Sequence, residues 1–99
     1  MQAAQALQRF FPAIAKDSRI GIKHIGLYLT LIYLWEKQGF AGSIQAFSRD
    51  VMPLAKISSS TTYNKLIHEL DGYGYISYQP SYYKGKASQI FLIHSLTKK

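Results

Sequence analysis

Apolar positions recur first at the spacing of helices and later with the alternation of strands. Ala3, Leu7, Phe10, Phe11 and Ile14 fall on one side of a helical wheel, with Gln5, Gln8 and Arg9 largely elsewhere. This predicts a helix over residues 2–14. Pro12 lacks an N–H and crowds the preceding turn, so the helix is expected to end or bend near Phe11. Phe10 and Phe11 are too much apolar area to leave in water, and pack either on the domain's own core or on a second copy. A polar joint follows at residues 16–19, where Asp17 or Ser18 could cap the next helix. From Lys23 to Gln38 the pattern is apolar almost all round. Leu27, Leu31 and Leu34 form one face and Tyr28, Ile32 and Trp35 the next. A helix without a clear polar side is covered on several sides. It is therefore expected at the centre of the domain, ending at Gly39.

Ser43 to Phe47 alternates weakly, as a short strand does. Ser48 is then placed to cap a short helix over residues 49–55, with Asp50 in its first turn and Val51, Leu54 and Ala55 facing inward. Pro53 lies just beyond the turn that tolerates proline. A further helix is predicted from Ser58 to Gly72. Ser58, Ser59 and Ser60 offer hydroxyls to its free N–H groups, while Tyr63, Leu66, Ile67 and Leu70 make its apolar face. Thr61, Thr62, Asn64, Lys65 and His68 lie opposite. Gly72 and Gly74 stop it. Strands are predicted over residues 75–81 and 89–94, joined by a loop, residues 82–88, that is rich in Lys and Tyr.

A small-polar helix start with Thr, Asn, Lys and His outward suits a helix lying in the major groove of DNA. Short side chains let the backbone approach, and Asn and Lys bond to base edges or phosphates. The same pattern also suits an ordinary amphipathic helix whose polar side faces water.

Composition tilts this balance. The 99 residues form one domain with a modest core, and 47% are hydrophobic, too many for a disordered chain. Twelve Lys and Arg against five Asp and Glu give a net charge of +7, which favours an anionic partner. Residues 72–99 contain no acid, so the C-terminal quarter is wholly cationic. Cysteine is absent, which excludes disulfides, thiol nucleophiles and thiolate metal sites. No signal-peptide pattern begins the chain, and the longest apolar run, residues 27–35, falls short of the ~20 residues of a membrane span. A cytoplasmic protein with no membrane partner is expected. His24, His68 and His94 show no metal spacing, and the acids form no pair suited to acid–base chemistry. Asp50 reads as a helix-start charge, and Glu69 and Asp71 as solvated helix positions. Neither an enzyme nor a cofactor or small-molecule ligand is expected.

The order helix, short strand, helix, turn, helix, strand, basic loop, strand resembles the winged helix-turn-helix domain. Residues 48–57 match the first helix of that motif, Ser58 to Gly72 its recognition helix, Gly74-Tyr75-Ile76 its entry to the wing, and Tyr82 to Ser88 the wing tip. The phrases KDSR, HIGLYLTLIYLW, SRDVMPLAKISS and TTYNKLIHEL are similar to small winged-helix proteins of Bacteroidetes-type bacteria, and more distantly to MarR- and GntR-type domains. The likeness spans residues 15–94. It implies an α+β fold, mainly α: a three-helix core and a β-hairpin wing, with an extra N-terminal helix. The implied parts are a helical arm over residues 1–19, the winged domain over 20–95 and a tail over 96–99.

By position, the resemblance implies that Ser59, Ser60, Thr61, Thr62, Asn64, Lys65 and His68 face double-stranded DNA. Asn64 would pair with an adenine edge, and Lys65 would reach a guanine or a phosphate. Lys84, Lys86 and Arg49 would meet phosphates, with Tyr82 and Tyr83 on phosphate or sugar. Tyr63 would be core. The recognition helix has no arginine, so strong bidentate reading of guanine is not implied. The expected roles are a small transcription regulator or an accessory factor for a mobile element or replication origin. A homodimer through the N-terminal and central helices stays open. The alternative is a protein-interaction module that uses the aromatic hairpin and the Phe10-Phe11 arm. A third, less favoured reading stacks single-stranded nucleic acid on Tyr75, Tyr78, Tyr82 and Tyr83.

Overall fold

A computed structural model describes residues 2–40, 42–81 and 85–93. Helix α1 (Gln2–Ala15) leads into the long helix α2 (Ile22–Lys37), strand β1 (Ile44–Ala46), helices α3 (Ser48–Ala55) and α4 (Ser60–Gly72), and strands β2 (Ile76–Gln79) and β3 (Ser88–Leu92). The result is a mainly helical α+β domain with a three-stranded antiparallel sheet in the order β1-β3-β2.

Helix α1 runs through Pro12 instead of ending near Phe11. Pro12 and Gln8 are both exposed, so the Gln8 carbonyl, left without an intrahelical donor, lies on an accessible face. Phe10 is fully buried. Its ring stacks on Tyr28 of α2 at 3.9 Å and meets Tyr75 edge-on at 5.6 Å. Phe11 remains 45% exposed, so the two neighbouring rings divide between core and surface.

Neither Asp17 nor Ser18 caps α2. Gly21 is the N-cap, and its N–H donates to Nδ1 of His24, 2.9 Å away. Histidine here takes the part that Glu or Gln plays in a capping box. Since Nδ1 accepts, Nε2 carries the proton and donates to the Glu69 carboxylate at 2.7 Å. Glu69 is therefore half-buried and ties α4 to α2; it is not a freely solvated position.

Asp17 serves the fold differently. Both its oxygens accept from the Arg19 guanidinium at 2.7 Å, and Oδ2 also accepts from the Tyr75 hydroxyl at 2.8 Å. Arg19 in turn lies 4.1 Å above the Tyr73 ring. The Arg19 bonds above all, with the Tyr75 hydroxyl, hold the Asp17 carboxyl well below the usual carboxylate range. A depressed folded-state pKa contributes stability that is present above the unfolded-state value and lost as pH falls toward the folded one. Asp17→Asn is thus expected to lower stability at neutral pH and to flatten its decline below about pH 4. Urea midpoints at neutral and acid pH check this; parallel declines in variant and wild type would refute it.

Gln38, the C-cap of α2, bonds both backbone groups of Gln45, accepting from its N–H at 2.9 Å and donating to its carbonyl at 3.0 Å. It acts as a side-chain substitute for a neighbouring strand on the edge of β1. In the sheet, Ile44, Ile90 and Tyr78 stand in register across the three strands, and Ile76 faces Leu92. Burial on this face joins the sheet to Leu27, Leu31, Val51, Ile67 and Leu70 in one core.

Several local expectations are corrected. Ser48 is the first residue of α3, whose N-cap is Phe47 and carries no side-chain bond. Pro53 is accommodated within the helix, and Leu54 points outward, 51% exposed. Helix α4 begins at Ser60, with Ser59 as N-cap accepting from the Thr62 N–H at 3.3 Å. Gly72 is its last residue, and it is Gly74, with φ of +91°, that supplies the left-handed turn into β2.

Candidate functional site

Helix α4 owes its position to its apolar face. Tyr63, Leu66, Ile67 and Leu70 are buried, and burial pushes the Tyr63 phenol up to about 12, as suits a core residue. The 100° step per residue then leaves Thr61, Asn64, Lys65 and His68 exposed on the outer side, beside exposed Ser59 and Ser60. Thr62 departs from expectation. It is half-buried, and its backbone N–H is taken by Ser59.

Helix α3 comes before α4 through a tight turn. Lys56 adopts a left-handed conformation with φ of +61°, and the Ile57 N–H donates to the Met52 carbonyl at 2.9 Å. Ile57 is buried, so the turn is pinned to the core. At the other end of α3, Arg49 is exposed and its guanidinium lies 4.2 Å over the Phe47 ring.

Between these elements lies an open cleft of about 160 Å³, lined by Ala46, Phe47, Ser48, Tyr63, Asn64, Tyr78, Lys86 and Ser88. It brings together Asn64 from α4 and Lys86 from the segment entering β3. Arg49 follows Ser48 at the rim. Tyr78 forms one wall, and its ring meets His68 edge-on at 5.4 Å. Such a cleft offers an amide, hydroxyls, an ammonium and a nearby guanidinium, a donor-rich set suited to phosphate and base-edge oxygens.

No protein-family model matches this chain, and neither the curated proteins nor the solved structures offer a significant match.

Tyr82, Tyr83 and Lys84 lie outside the described residues. Tyr75 is buried beneath Phe10 and bonded to Asp17. Its face is closed, so it cannot stack a base. Ser48 and Phe47 enter the site without being singled out for it by the helix pattern, while Tyr78, expected only as a stacking platform for single-stranded nucleic acid, lines the cleft. What puts them there is the pairing of β1 with β3, which swings the start of α3 against the β2–β3 pair. Among the described residues, no group of three His, Cys, Asp or Glu is placed to hold a metal ion, and no helix is long and apolar enough to cross a membrane.

Proposed function

We propose that this protein binds double-stranded DNA as a winged helix-turn-helix domain. Helices α3 and α4 form the helix-turn-helix, α4 enters the major groove, and the β2–β3 hairpin is the wing on the flanking backbone. The observation that carries the reading is the shared cleft: the exposed face of α4, through Asn64, and the basic hairpin, through Lys86, border the same opening. Lys65, next to Asn64, and Arg49, at the start of α3, extend the donor surface on either side. The net charge of +7 supplies the sequence-independent attraction. Asn64 reads an adenine edge, while Lys65, Lys86, Arg49 and Lys84 neutralise phosphates. Ser59, Ser60 and Thr61 allow close backbone approach. The biological role is that of a small transcription regulator or an accessory factor in replication or mobile-element transfer.

The test is fluorescence anisotropy of labelled duplexes. Binding to a random-sequence duplex at low salt supports the reading, and its absence there would sink it. Once a preferred site is selected, Asn64→Ala is expected to reduce discrimination at one base pair by about 1–3 kcal/mol. It should change random-duplex affinity little. Equal losses on every duplex would remove its base-reading role.

A further inference from the structure

The cleft between α4, the start of α3 and the hairpin is rich in donors, and its most buried polar side chain has nothing to bond. Tyr63 is 3% exposed and is one of the lining residues. Its hydroxyl makes no hydrogen bond to any described residue. Among the described residues no side-chain N or O is both sealed from solvent and unbonded, so this hydroxyl opens into the cleft. Burial pushes the phenol up to about 12, so at neutral pH it keeps its proton and can donate. Ser88 Oγ accepts from the Ser81 N–H at 3.3 Å, which leaves its own hydrogen to donate. Ser48 opens α3, and with Phe47 as N-cap no capping side chain takes the first N–H groups of that helix. Lys86 brings an ammonium. None of the lining residues is acidic. The nearest acid in sequence, Asp50, is exposed in the first turn of α3 and is not part of the lining.

We infer that this cleft seats one phosphate group of the DNA backbone, held by the Tyr63, Ser48 and Ser88 hydroxyls and neutralised by Lys86. The inference rests on the DNA reading above and adds to it Tyr63, whose ring belongs to the core. Size favours a single small anion. The cleft of about 160 Å³ holds more than one water but is well below the roughly 300 Å³ at which sites for drug-sized molecules begin. Chemistry favours an acceptor. Hydroxyl, amide and ammonium groups converge with no carboxylate among them, and phosphate oxygens accept. The Phe47 and Tyr78 walls limit water, which strengthens each bond. Asn64 borders the same cleft. A seated phosphate therefore fixes how α4 sits in the groove and which base edge Asn64 meets, the positioning role of phosphate contacts. Lys65 and Arg49, outside the lining, serve neighbouring phosphates.

Tyr63→Phe tests this, because it removes one oxygen and leaves the ring. An unbonded hydroxyl contributes little to the fold, so the urea midpoint should stay at the wild-type value. Anisotropy should show affinity for every duplex falling about tenfold, the loss of a hydrogen bond to a charged group. The salt slope should not change, since a neutral phenol releases no counterion. In a scan of the selected duplex with one neutral methylphosphonate at a time, one position should make wild type and Tyr63→Phe bind alike. Sodium phosphate without DNA separates the two sources of phosphate. It is titrated against sodium chloride at equal ionic strength, and NMR follows the Ser48 N–H and the Asn64 side-chain amide. A Tyr63-dependent loss on DNA, with or without a phosphate shift, supports the backbone as the source. Duplex binding that Tyr63→Phe leaves intact would overturn the inference and leave the DNA reading standing. No duplex binding, with a phosphate shift that Tyr63→Phe abolishes, would overturn the DNA source and assign the cleft to free phosphate. Binding of neither would overturn both.

Discussion

Phe10→Ala is expected to destabilise the protein by about 3–5 kcal/mol, the range for removing a buried aromatic ring. The reason lies in what the ring touches. Among the described side chains of α1, Phe10 is the one large side chain that is fully buried, and it contacts Tyr28 face-on and Tyr75 edge-on. Its loss opens a cavity between α1, α2 and the start of β2. The two tyrosines cannot simply collapse into that space. Both are already buried among other side chains, and Tyr75 is held by its bond to Asp17. Small domains are stable by only about 5–15 kcal/mol, so the variant should sit near the edge of folding. Urea denaturation gives the answer: the midpoint should fall sharply with little change in slope. A loss below about 1 kcal/mol would mean that α1 is only loosely docked. Phe11→Ala, on the exposed neighbour, serves as the control and should have a small effect.

Phe10 and Phe11 also show what the sequence could and could not reveal. Helical spacing placed both on the apolar side of α1, but adjacent residues are 100° apart on a helix. Which of the two faces the core depends on where α2 and β2 pass, and that is tertiary information. The same holds for Pro12 and Pro53. The proline rule weighs a lost hydrogen bond and a clash, whereas both helices continue because their turns are exposed there and their other faces are anchored. For α4, the long and regular Tyr63-Leu66-Ile67-Leu70 row was legible, and so was the outward set beginning at Thr61. Its partners were not. His24 and Glu69 are far apart in sequence and read singly as unremarkable. The β1–β3 pairing, which joins Ser48 and Phe47 to the cleft, closes a loop of more than forty residues with only three residue pairs of register. Local alternation can suggest a strand, but it cannot say which strand lies beside it.

If the cleft and its surroundings meet DNA, affinity should collapse as salt rises. Each phosphate neutralised by Lys or Arg releases condensed counterions, giving a log–log slope of about −0.9 per contact. With about four to six contacts from Lys65, Lys86, Arg49 and Lys84 and their neighbours, affinity is expected to fall roughly 10²–10³-fold between about 50 and 200 mM salt. This effect is large because few acids oppose it. The chain carries five in all, and one of these, Asp17, is already committed to Arg19. Lys65→Ala and Lys86→Ala should each make the slope shallower by about 0.9 and weaken all duplexes alike, since phosphate contacts carry no sequence information. The slope is the discriminating quantity, because a destabilised variant loses affinity without losing counterion release per bound molecule. A steep slope left unchanged by both lysine variants would move the contact surface away from the cleft. A slope near zero would replace DNA with a protein partner for this domain.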